Sequence, residues 1–508
     1  MTVLVLGDQL VREVGPIAER PDERVLMIEA RAFAHRLPYH PHKLTLVFSA
    51  MRHFRDKLRA AGRQVEYRQA ETFGEGLASH FEAHPGDELA VMRPASHGAA
   101  RRLRELIERE DGSVDVVDNS LFLCSRADFD TWIDNRSTPY RHEEFYRFMR
   151  RETDYLMDGD RPVGGTWNFD QENREFPGPE HEPPDPPRFS PDDLTRDVAE
   201  WVDETFDGSY DGPPYGGDWA DPESFRWPVT REDALAMLDG FVEERLVAFG
   251  PYQDAMLDGE WAMNHALLSP ALNLGLLRPA EAVEAVIAAG ESDPDIPLNS
   301  VEGFVRQIIG WREFVRHVYR TTMPGLADAN QLDADADLPE WYWTGETDMA
   351  CLSDTIASVR ERGYSHHVQR LMLLSNFALL YGVDPRQLNR WFHAGYVDAY
   401  HWVTTPNVVE MGSYGAGVFA TKPYAASANY VSRMSDYCPD CPYDPDETTG
   451  DGACPFNALY WDFLDRNEID LRRNPRMALM YSYLDDADSQ AIRDRVRTLR
   501  RMEKDGEL

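Results

Sequence analysis

Five cysteines are the residues whose types and spacing point most directly to chemistry in this sequence. Cys438 and Cys441 form a C-x₂-C turn, and Cys454 follows after 12 intervening residues. Cys351 lies 87 positions before the turn. Four thiolates can complete a tetrahedral zinc site or hold an iron–sulfur cluster, and spacing alone slightly favours zinc. Cys124 lies in a separate apolar segment, and we predict that it is a buried packing residue.

Two adjacent histidines, His366 and His367, form the second set of chemically suggestive residues. The pKa of an imidazole lies near neutral pH, so a histidine can donate a proton to a reacting group. A single histidine is more often a hydrogen-bonded core residue than a catalyst. For two adjacent histidines, both a structural role in the core and a catalytic role remain open until the surrounding sequence motifs are considered.

The net charge of the chain indicates more about the salt concentration in which the protein works than about the ligand it binds. Acidic residues number 89 against 52 basic ones, and the formal net charge is −37. Only Lys43, Lys57, Lys422 and Lys504 are lysines, so the other 48 basic residues are arginines. A lysine-poor acidic surface is typical of a halophilic protein, since in molar salt the Debye length is only about 3 Å and self-repulsion is screened. The alternative is an acidic protein with basic partners.

Length and hydropathy exclude several classes of protein. A chain of 508 residues, 42% of them hydrophobic, is long enough for two or three packed domains. No run of about 18 uncharged apolar residues is present, and the first ten residues do not resemble a secretory signal. We therefore expect a cytoplasmic protein with no membrane span.

The first 120 residues alternate short apolar runs with amphipathic stretches. Helices are predicted over Thr45–Ala61 and Ala99–Arg109. Strands separated by such helices imply a doubly wound parallel sheet, an α/β fold. Gly7-Asp8-Gln9 follows the first strand, at the edge where such sheets bind ligands. The predicted strands are Val3–Leu6, Val25–Ile28, Val65–Tyr67, Leu89–Met92 and Val114–Val117.

The rest of the chain is predicted to be a connector followed by a helical domain. Residues Pro177–Phe225 are rich in Pro, Asp and Gly and lack periodicity, which is typical of a surface connector. Thr404–Ser427 is predicted to be a long functional loop. We predict an α/β domain over 1–130, a connector over 131–230 and an all-helical domain over 231–508. Helical periodicity covers Glu232–Phe249, Pro279–Ala289, Val301–Arg320, Asp354–Leu380 and Pro385–Ala394.

Several segments resemble the photolyase and cryptochrome superfamily, specifically its prokaryotic iron–sulfur branch. They are Gly164-Gly-Thr-Trp-Asn-Phe-Asp-Gln-Glu-Asn-Arg174, Ser365-His-His-Val-Gln-Arg-Leu-Met372 and Lys422-Pro-Tyr-Ala-Ala-Ser-Ala-Asn-Tyr430. The similarity runs from Leu4 to the C-terminal helix. It implies light-driven repair of (6-4) lesions in ultraviolet-damaged DNA, with FAD, a [4Fe-4S] cluster on Cys351, Cys438, Cys441 and Cys454, and a 6,7-dimethyl-8-ribityllumazine antenna.

The resemblance also implies roles for individual residues. His366 and His367 would be catalytic, and His367 matches the proton donor of eukaryotic (6-4) enzymes. The second histidine of those enzymes is replaced here by Leu371, so their two-histidine mechanism does not carry over intact. The FAD-binding candidates are His265, Ala266, Leu267, Leu268, Ser269, Gln307, Trp311, Arg370, Asp398 and Asn407. The electron-transfer candidates are Trp391, Tyr400 and Trp343, and the antenna candidates are Asp8, Gln9, Glu29 and His35.

Two rival functions remain open at this point. A cryptochrome-like photoreceptor of the same fold would carry FAD without repairing DNA, and a zinc-stapled DNA-binding module would lack photochemistry. The resemblance implies a monomer that binds damaged DNA. Arg and His residues are expected to contact that DNA, such as Arg141, His142, Arg147, Arg150 and Arg151.

Overall fold

A computed structural model describes residues 1–134, 136–206, 219–485 and 488–508. Its N-terminal part is a five-stranded parallel sheet in the order β3-β2-β1-β4-β5. The predicted α/β fold is therefore confirmed, and all five predicted strands are present. The strands are β1 (Thr2–Val5), β2 (Arg24–Ala30), β3 (Val65–Ala70), β4 (Glu88–Met92) and β5 (Ser113–Val117).

Helices cover both faces of this sheet, as the buried apolar strands β1, β2 and β4 at its centre require. On one face, Phe73–Ala83 and Ala99–Arg109 pack their apolar side chains against β1, β2 and β4. On the other face, Pro41–Ala60 packs against β1 and β2 within a core that continues into the helical half. The remaining α-helices before residue 206 are Pro16–Glu19, Arg126–Ile133, His142–Thr153 and Asp193–Thr205.

The C-terminal half is helical, as predicted. Its α-helices are Arg231–Gly240, Leu246–Phe249, Ser269–Leu274, Pro279–Ser292, Leu298–Val305, Glu313–Thr322, Trp341–Thr344, Ala350–Arg362, Asn376–Tyr381, Pro385–Gly395, His401–Thr405, Ala428–Met434, Pro455–Arg466, Glu468–Leu471, Ala478–Leu484 and Ser489–Asp505. Among the described residues, no helix is long and apolar enough to cross a bilayer.

Three expectations about secondary structure were wrong in part. The predicted helix Asp354–Leu380 is interrupted, because Gly363 adopts a φ of +67° and ends the helix Ala350–Arg362. The predicted connector contains the helix Asp193–Thr205, which buries Val198 and Val202 in a cluster with Phe48. Part of the predicted loop Thr404–Ser427 is helical up to Gly412. The proposed domain boundaries stay a prediction.

Four π-helical segments interrupt the α-helices of the C-terminal half. They are Phe241–Arg245, Arg306–Arg312, Gln369–Ser375 and Pro406–Gly412. Such segments widen the helix and are frequent at functional sites. Three of the four carry residues that the resemblance implicates in FAD binding, namely Gln307 and Trp311, Arg370, and Asn407.

The two halves of the chain are joined through hydrogen bonds as well as apolar contacts. Lys43 is buried, and its ammonium group donates to the carbonyl oxygens of His393 (2.9 Å) and Ala399 (2.7 Å). The amide of Leu10 donates to the carbonyl oxygen of Leu274 at 2.8 Å. These contacts hold the carboxyl edge of the sheet against two separate segments of the helical half, around Leu274 and around His393–Ala399.

Candidate active site and cysteine centre

The four cysteines Cys351, Cys438, Cys441 and Cys454 line one cavity. Cys351 is the second residue of the helix Ala350–Arg362, and Cys454 immediately precedes the helix that begins at Pro455. Cys438 is the first residue of a single 3₁₀ turn, Cys438–Asp440, and Cys441 follows it. Apolar side chains, among them Met349, fill the rest of the wall. The fold therefore brings together the four cysteines that the sequence singled out.

Burial makes the thiols of Cys351, Cys438 and Cys454 hard to ionise without a cation. Desolvation, followed by the neighbouring cysteine charges, raises the pKa of Cys351 well above its usual range. Desolvation also raises the pKa of Cys454 to about 12 and that of Cys438. Thiolates are the metal-binding form, so a bound metal centre must supply the positive charge that stabilises them.

The separation of the sulfur atoms bears on which metal centre fits. Two ligands on one zinc ion with Zn–S bonds of about 2.3 Å lie at most about 4.6 Å apart. Among the described residues, Glu66, His80 and His84 are the one set of three or more Cys, His, Asp or Glu side chains whose ligand atoms all lie within 4.8 Å of one another. No three of the four Sγ atoms meet that limit. The Sγ atoms are therefore spaced more widely than the ligands of one bound zinc ion, and the cysteine side chains would have to rotate to close such a site.

Cys124 lies apart from this cavity, as predicted. It is buried in the core of the α/β half, where desolvation raises its thiol pKa. Its backbone carbonyl accepts hydrogen bonds from Arg316 and His317 of the helical half. It is a packing residue at the contact between the two halves.

The ion pair of Arg370 and Asp398 organises the second site. Arg370 donates two hydrogen bonds of 3.0 Å to the two carboxylate oxygens of Asp398. Ser269 donates to one of those oxygens at 2.6 Å, and Asn273 donates to the Asp398 carbonyl at 2.8 Å. The guanidinium of Arg370 also lies 4.3 Å from the ring centre of Tyr396. Three predicted FAD-binding residues, Ser269, Arg370 and Asp398, are thus in direct contact.

His265 and His366 stack on each other, with ring centres 4.7 Å apart and an interplanar angle of 14°. The resemblance implies that His265 binds FAD, and the fold places its ring against His366. Desolvation lowers the pKa of His265 to about 3 and that of His366 well below its usual value. Neither ring nitrogen of the buried His366 has a hydrogen-bond partner among the described residues.

His367 differs from its neighbour because its side chain keeps accessible surface. Protein atoms around the ring nevertheless desolvate it, and this desolvation is the larger cause of a His367 pKa lowered to about 4. The positive charge of Arg370 is the smaller cause. The imidazole is therefore neutral at pH 7 in the protein alone. Of the two predicted catalytic histidines, His367 is the one that an incoming ligand can reach.

Arg245 is a candidate residue of this site that sequence reasoning missed. Its side chain is fully buried and donates to the carbonyl oxygen of His265 at 2.7 Å. Two further guanidinium nitrogens, Nε and Nη2, have no hydrogen-bond partner among the described residues. Desolvation lowers its pKa to about 10. An arginine in an amphipathic helix is normally predicted to face solvent, so the sequence does not mark Arg245 as a site residue. The fold buries it at the end of the π-helical segment Phe241–Arg245.

The other FAD-binding candidates make contacts separate from the Arg370–Asp398 ion pair. The ring of Trp311 stacks on His142, with centres 3.7 Å apart. Asn407 donates to the carbonyl oxygen of Val403 within its own helix, at 2.8 Å. Gln307 lies one turn before Trp311 on the segment Arg306–Arg312, half-buried. Ala266, Leu267 and Leu268 form the chain between His265 and Ser269, and Leu267 has a φ of +56°.

The aromatic candidates separate into two places. Trp391 and Trp343 are in ring contact, with centres 6.3 Å apart, and Trp343 continues to Trp219 at 6.3 Å. Trp391 also contacts Tyr396, 5.7 Å away, which lies against Arg370. Tyr400 lies instead near the buried ammonium group of Lys43, 5.9 Å from it. The structure thus links two of the three candidates into a chain that leads to the Arg370 site.

The antenna candidates lie at or behind the carboxyl edge of the sheet. Glu29 is buried and accepts hydrogen bonds from Arg52 (3.0 and 2.8 Å), from Gln69 (3.0 Å) and from Tyr67. Gln9 donates to the carbonyl oxygen of Met92 at the end of β4. Burial raises the pKa of Asp8 to about 6. His35 is exposed and packs against Phe206, away from this hydrogen-bonded group.

One of the basic residues in the segment expected near DNA is buried. Arg150 donates to the carbonyl oxygens of Trp167 and Leu156. Its guanidinium group therefore binds the backbone of its own half of the protein, and the DNA contacts of the segment stay a prediction. Arg141 and Arg151 are exposed, and Arg147 is half-buried beside Glu143.

Comparisons with known proteins agree with this geometry. Residues 3–215 match the family described as deoxyribodipyrimidine photo-lyase-related protein. A (6-4) photolyase of Agrobacterium fabrum is 40% identical over 489 residues, which are 94% of each chain. A class III photolyase of Agrobacterium tumefaciens has a TM-score of 0.58 at 18% identity, covering 97% of this chain and 91% of that one. An archaeal photolyase of Sulfolobus tokodaii, solved with two FAD molecules, has a TM-score of 0.54 at 14% identity and covers 99% and 100%.

Proposed function

Because this chain belongs to the photolyase family, we propose that it repairs (6-4) pyrimidine–pyrimidone photoproducts in ultraviolet-damaged DNA, using light absorbed by FAD. The observation that carries the proposal is the 40% identity to a (6-4) photolyase over 94% of both chains. A light-dependent carbon–carbon lyase of this kind acts on a base lesion that has left the helical stack. It needs a large buried cofactor site beside an opening for that lesion.

The residues around Arg370 fit a cofactor of that size and charge. Arg245 carries buried guanidinium nitrogens without partners, and His265 and His366 carry ring nitrogens without partners, among the described residues. Buried polar groups rarely stay unpaired, and a buried cation favours an anionic ligand such as a diphosphate. The proposed FAD-binding set is therefore Arg370, Asp398, Ser269 and Arg245, with Gln307, Trp311, Asn407 and residues 265–268 completing it. FAD, when bound, supplies the light-driven electron transfer.

The histidines supply the proton chemistry in this proposal. His367 is the accessible imidazole, and His366 with the stacked His265 lies behind it. Eukaryotic (6-4) enzymes place a second histidine where this chain has Leu371. Here His265 brings an additional imidazole from another segment of the chain. Because the pKa of His367 is about 4 in the protein alone, the residue becomes a proton donor at neutral pH only where added negative charge raises that pKa.

A [4Fe-4S] cluster is the proposed occupant of the cysteine cavity. Four cysteines in the wall of one cavity match the thiolate ligand set of a cluster. No three of their Sγ atoms lie as close together as the ligands of a single metal ion, which favours the larger cluster. Because Cys351 comes from a segment 87 residues before Cys438, a cluster would tie two distant segments together. We assign it a structural role.

The remaining parts of the proposal rest on family membership. The antenna is 6,7-dimethyl-8-ribityllumazine, at the carboxyl edge of the sheet near Asp8, Gln9 and Glu29. His35 lies outside this set in the structure. The protein works as a monomer on DNA in the cytoplasm, and Trp391 and Trp343 pass electrons toward the flavin.

The experiment that tests the function is light-dependent repair of an oligonucleotide with one (6-4) lesion, in the presence of a reductant. Wild-type protein should restore the thymines, and His367→Ala should slow repair at least about 100-fold, the size of a general acid's contribution. Flavin absorbance should be unchanged in that variant. His97→Ala is the matched control, because His97 is exposed and only its backbone contacts Tyr319.

The same assay separates repair from a photoreceptor role. A cryptochrome-like receptor would show reversible flavin photoreduction and leave the lesion intact. Undiminished repair by His367→Ala would remove that residue from the mechanism. A parallel oligonucleotide with a cyclobutane dimer reports whether the lesion specificity is confined to (6-4) products.

A further inference from the structure

A cluster of Glu66, His80 and His84 lies on the α/β half, outside both sites described above. His80 and His84 are four residues apart at the end of the helix Phe73–Ala83, so their rings lie on the same side. Glu66 faces them from the edge strand β3. Nδ1 of His80 lies 3.1 Å from one carboxylate oxygen of Glu66, and Nε2 of His84 lies 3.2 Å from the other. One ligand atom from each residue lies within 4.8 Å of the others.

A fourth residue, Asp87, fixes the orientation of His80. The Nε2 of His80, whose side chain is fully buried, lies 3.3 Å from a carboxylate oxygen of Asp87. Asp87 is held in turn by the Thr2 hydroxyl (2.6 Å) and by the amide of Glu88 (2.9 Å). A carboxylate that accepts the N–H of one ring nitrogen leaves the lone pair of the other nitrogen free to bind a metal. Histidine ligands in metal sites commonly have such a carboxylate partner.

The electrostatics of His80 also call for a cation. If Nε2–H donates to Asp87, a neutral ring directs the lone pair of Nδ1 at the Glu66 carboxylate, which is repulsive at 3.1 Å. Either a proton or a metal ion between His80, His84 and Glu66 removes that repulsion. Arg68 donates to one oxygen of Glu66 at 2.7 Å, and each carboxylate oxygen has a second lone pair for a metal.

We propose that Glu66, His80 and His84 bind a divalent transition-metal ion of the zinc type. Zn²⁺ bonds of about 2.0–2.1 Å to nitrogen and oxygen place tetrahedral ligand atoms about 3.3 Å apart. Each imidazole nitrogen lies at about that distance from its own oxygen of the Glu66 carboxylate, at 3.1 Å for His80 and 3.2 Å for His84, so the ion would lie between the two rings and the carboxylate. The half-buried His84 leaves the fourth position open to water. The ion joins the end of the helix Phe73–Ala83 to the edge strand β3, on the face of the sheet turned away from the helical half.

The test is equilibrium dialysis of the cluster-loaded full chain against micromolar Zn²⁺, with zinc and iron measured per chain. Wild-type protein should gain one zinc without losing iron. Glu66→Gln and His84→Ala should bind that zinc at least 100-fold more weakly. Both changes involve partly exposed side chains, and circular dichroism checks that each variant is folded. His97→Ala should bind zinc like the wild type.

X-ray absorption at the zinc edge distinguishes this site from the cysteines. The proposal requires a shell of nitrogen and oxygen ligands near 2.0–2.1 Å, whereas zinc at the cysteines would show sulfur near 2.3 Å. A sulfur shell, absence of zinc uptake by wild-type protein, or equal uptake by Glu66→Gln would each overturn the proposal.

Discussion

Arg370 binds both carboxylate oxygens of Asp398, each at 3.0 Å, and this ion pair joins two segments of the helical half. The pair is shielded from solvent, with the side chain of Asp398 only 7% exposed. Removing one partner of such a pair leaves an uncompensated buried charge. Its integrity therefore matters for stability as well as for the proposed flavin site.

Asp398→Ala should lower the free energy of unfolding of the FAD-free protein by about 3 kcal/mol, because Arg370 loses its partner. Asp465→Ala is the matched control, since Asp465 pairs with Arg493 at 3.4 Å with side chains 40% and 49% exposed, and screened pairs contribute little. Urea unfolding at pH 7 measures both variants. Equal losses in the two variants would contradict the role assigned to the buried pair.

Cys351→Ala should abolish binding of the iron–sulfur cluster, because one of its four proposed thiolate ligands is lost. Cys124→Ala should leave the iron and sulfide content unchanged, since Cys124 lies in a different core. Iron and acid-labile sulfide should each approach four per wild-type chain. One zinc per chain at the cysteines of the wild type, with no iron, would refute the cluster.

Trp391→Phe should slow photoreduction of bound FAD at least tenfold, because it removes the ring between Trp343 and Tyr396. Trp343→Phe should have a similar effect. Trp461→Phe is the control, since Trp461 packs beside Tyr460 in the C-terminal part. Flavin absorbance under blue light with a reductant follows the rate. Normal photoreduction in Trp391→Phe would move the electron path elsewhere.

The stability of the FAD-free protein should rise with pH between about 4 and 6.5, in part because of His265. Its folded-state pKa is about 3, whereas an unfolded histidine titrates near 6.5. In this window the unfolded chain binds a proton that the folded chain does not, so raising the pH stabilises the fold, by up to about 1.4 kcal/mol per pH unit for one group. Urea unfolding from pH 4.5 to 7.5 should show a shallower slope for His265→Gln. An unchanged slope would argue against burial of a neutral His265.

The acidic surface predicts stabilisation by salt. With 89 acidic residues, 52 basic ones and Lys43 buried, self-repulsion should be strong in dilute buffer and screened in molar salt. The Tm should therefore rise from 0.1 M to 3 M NaCl. A maximum Tm in dilute buffer would count against the halophilic interpretation.

The sequence by itself determined the fold class and the residues that could carry chemistry. Alternating apolar runs and amphipathic stretches specify a parallel sheet covered by helices, because those periodicities decide which faces become buried. The cysteine spacing and the His366-His367 pair singled out the two sites. These features can be predicted from the sequence because each depends on residues that are close together along the chain.

Only the tertiary structure decided which distant residues meet. His265 stacks on His366 across about 100 residues, Arg245 turns inward at a π segment, and Tyr400 lies beside Lys43 and away from Trp391. The spacing of the four sulfur atoms likewise depends on how Cys351 packs against the Cys438 turn. These relationships arise from long-range packing and burial, and neither spacing nor composition encodes which partner a buried polar group will find.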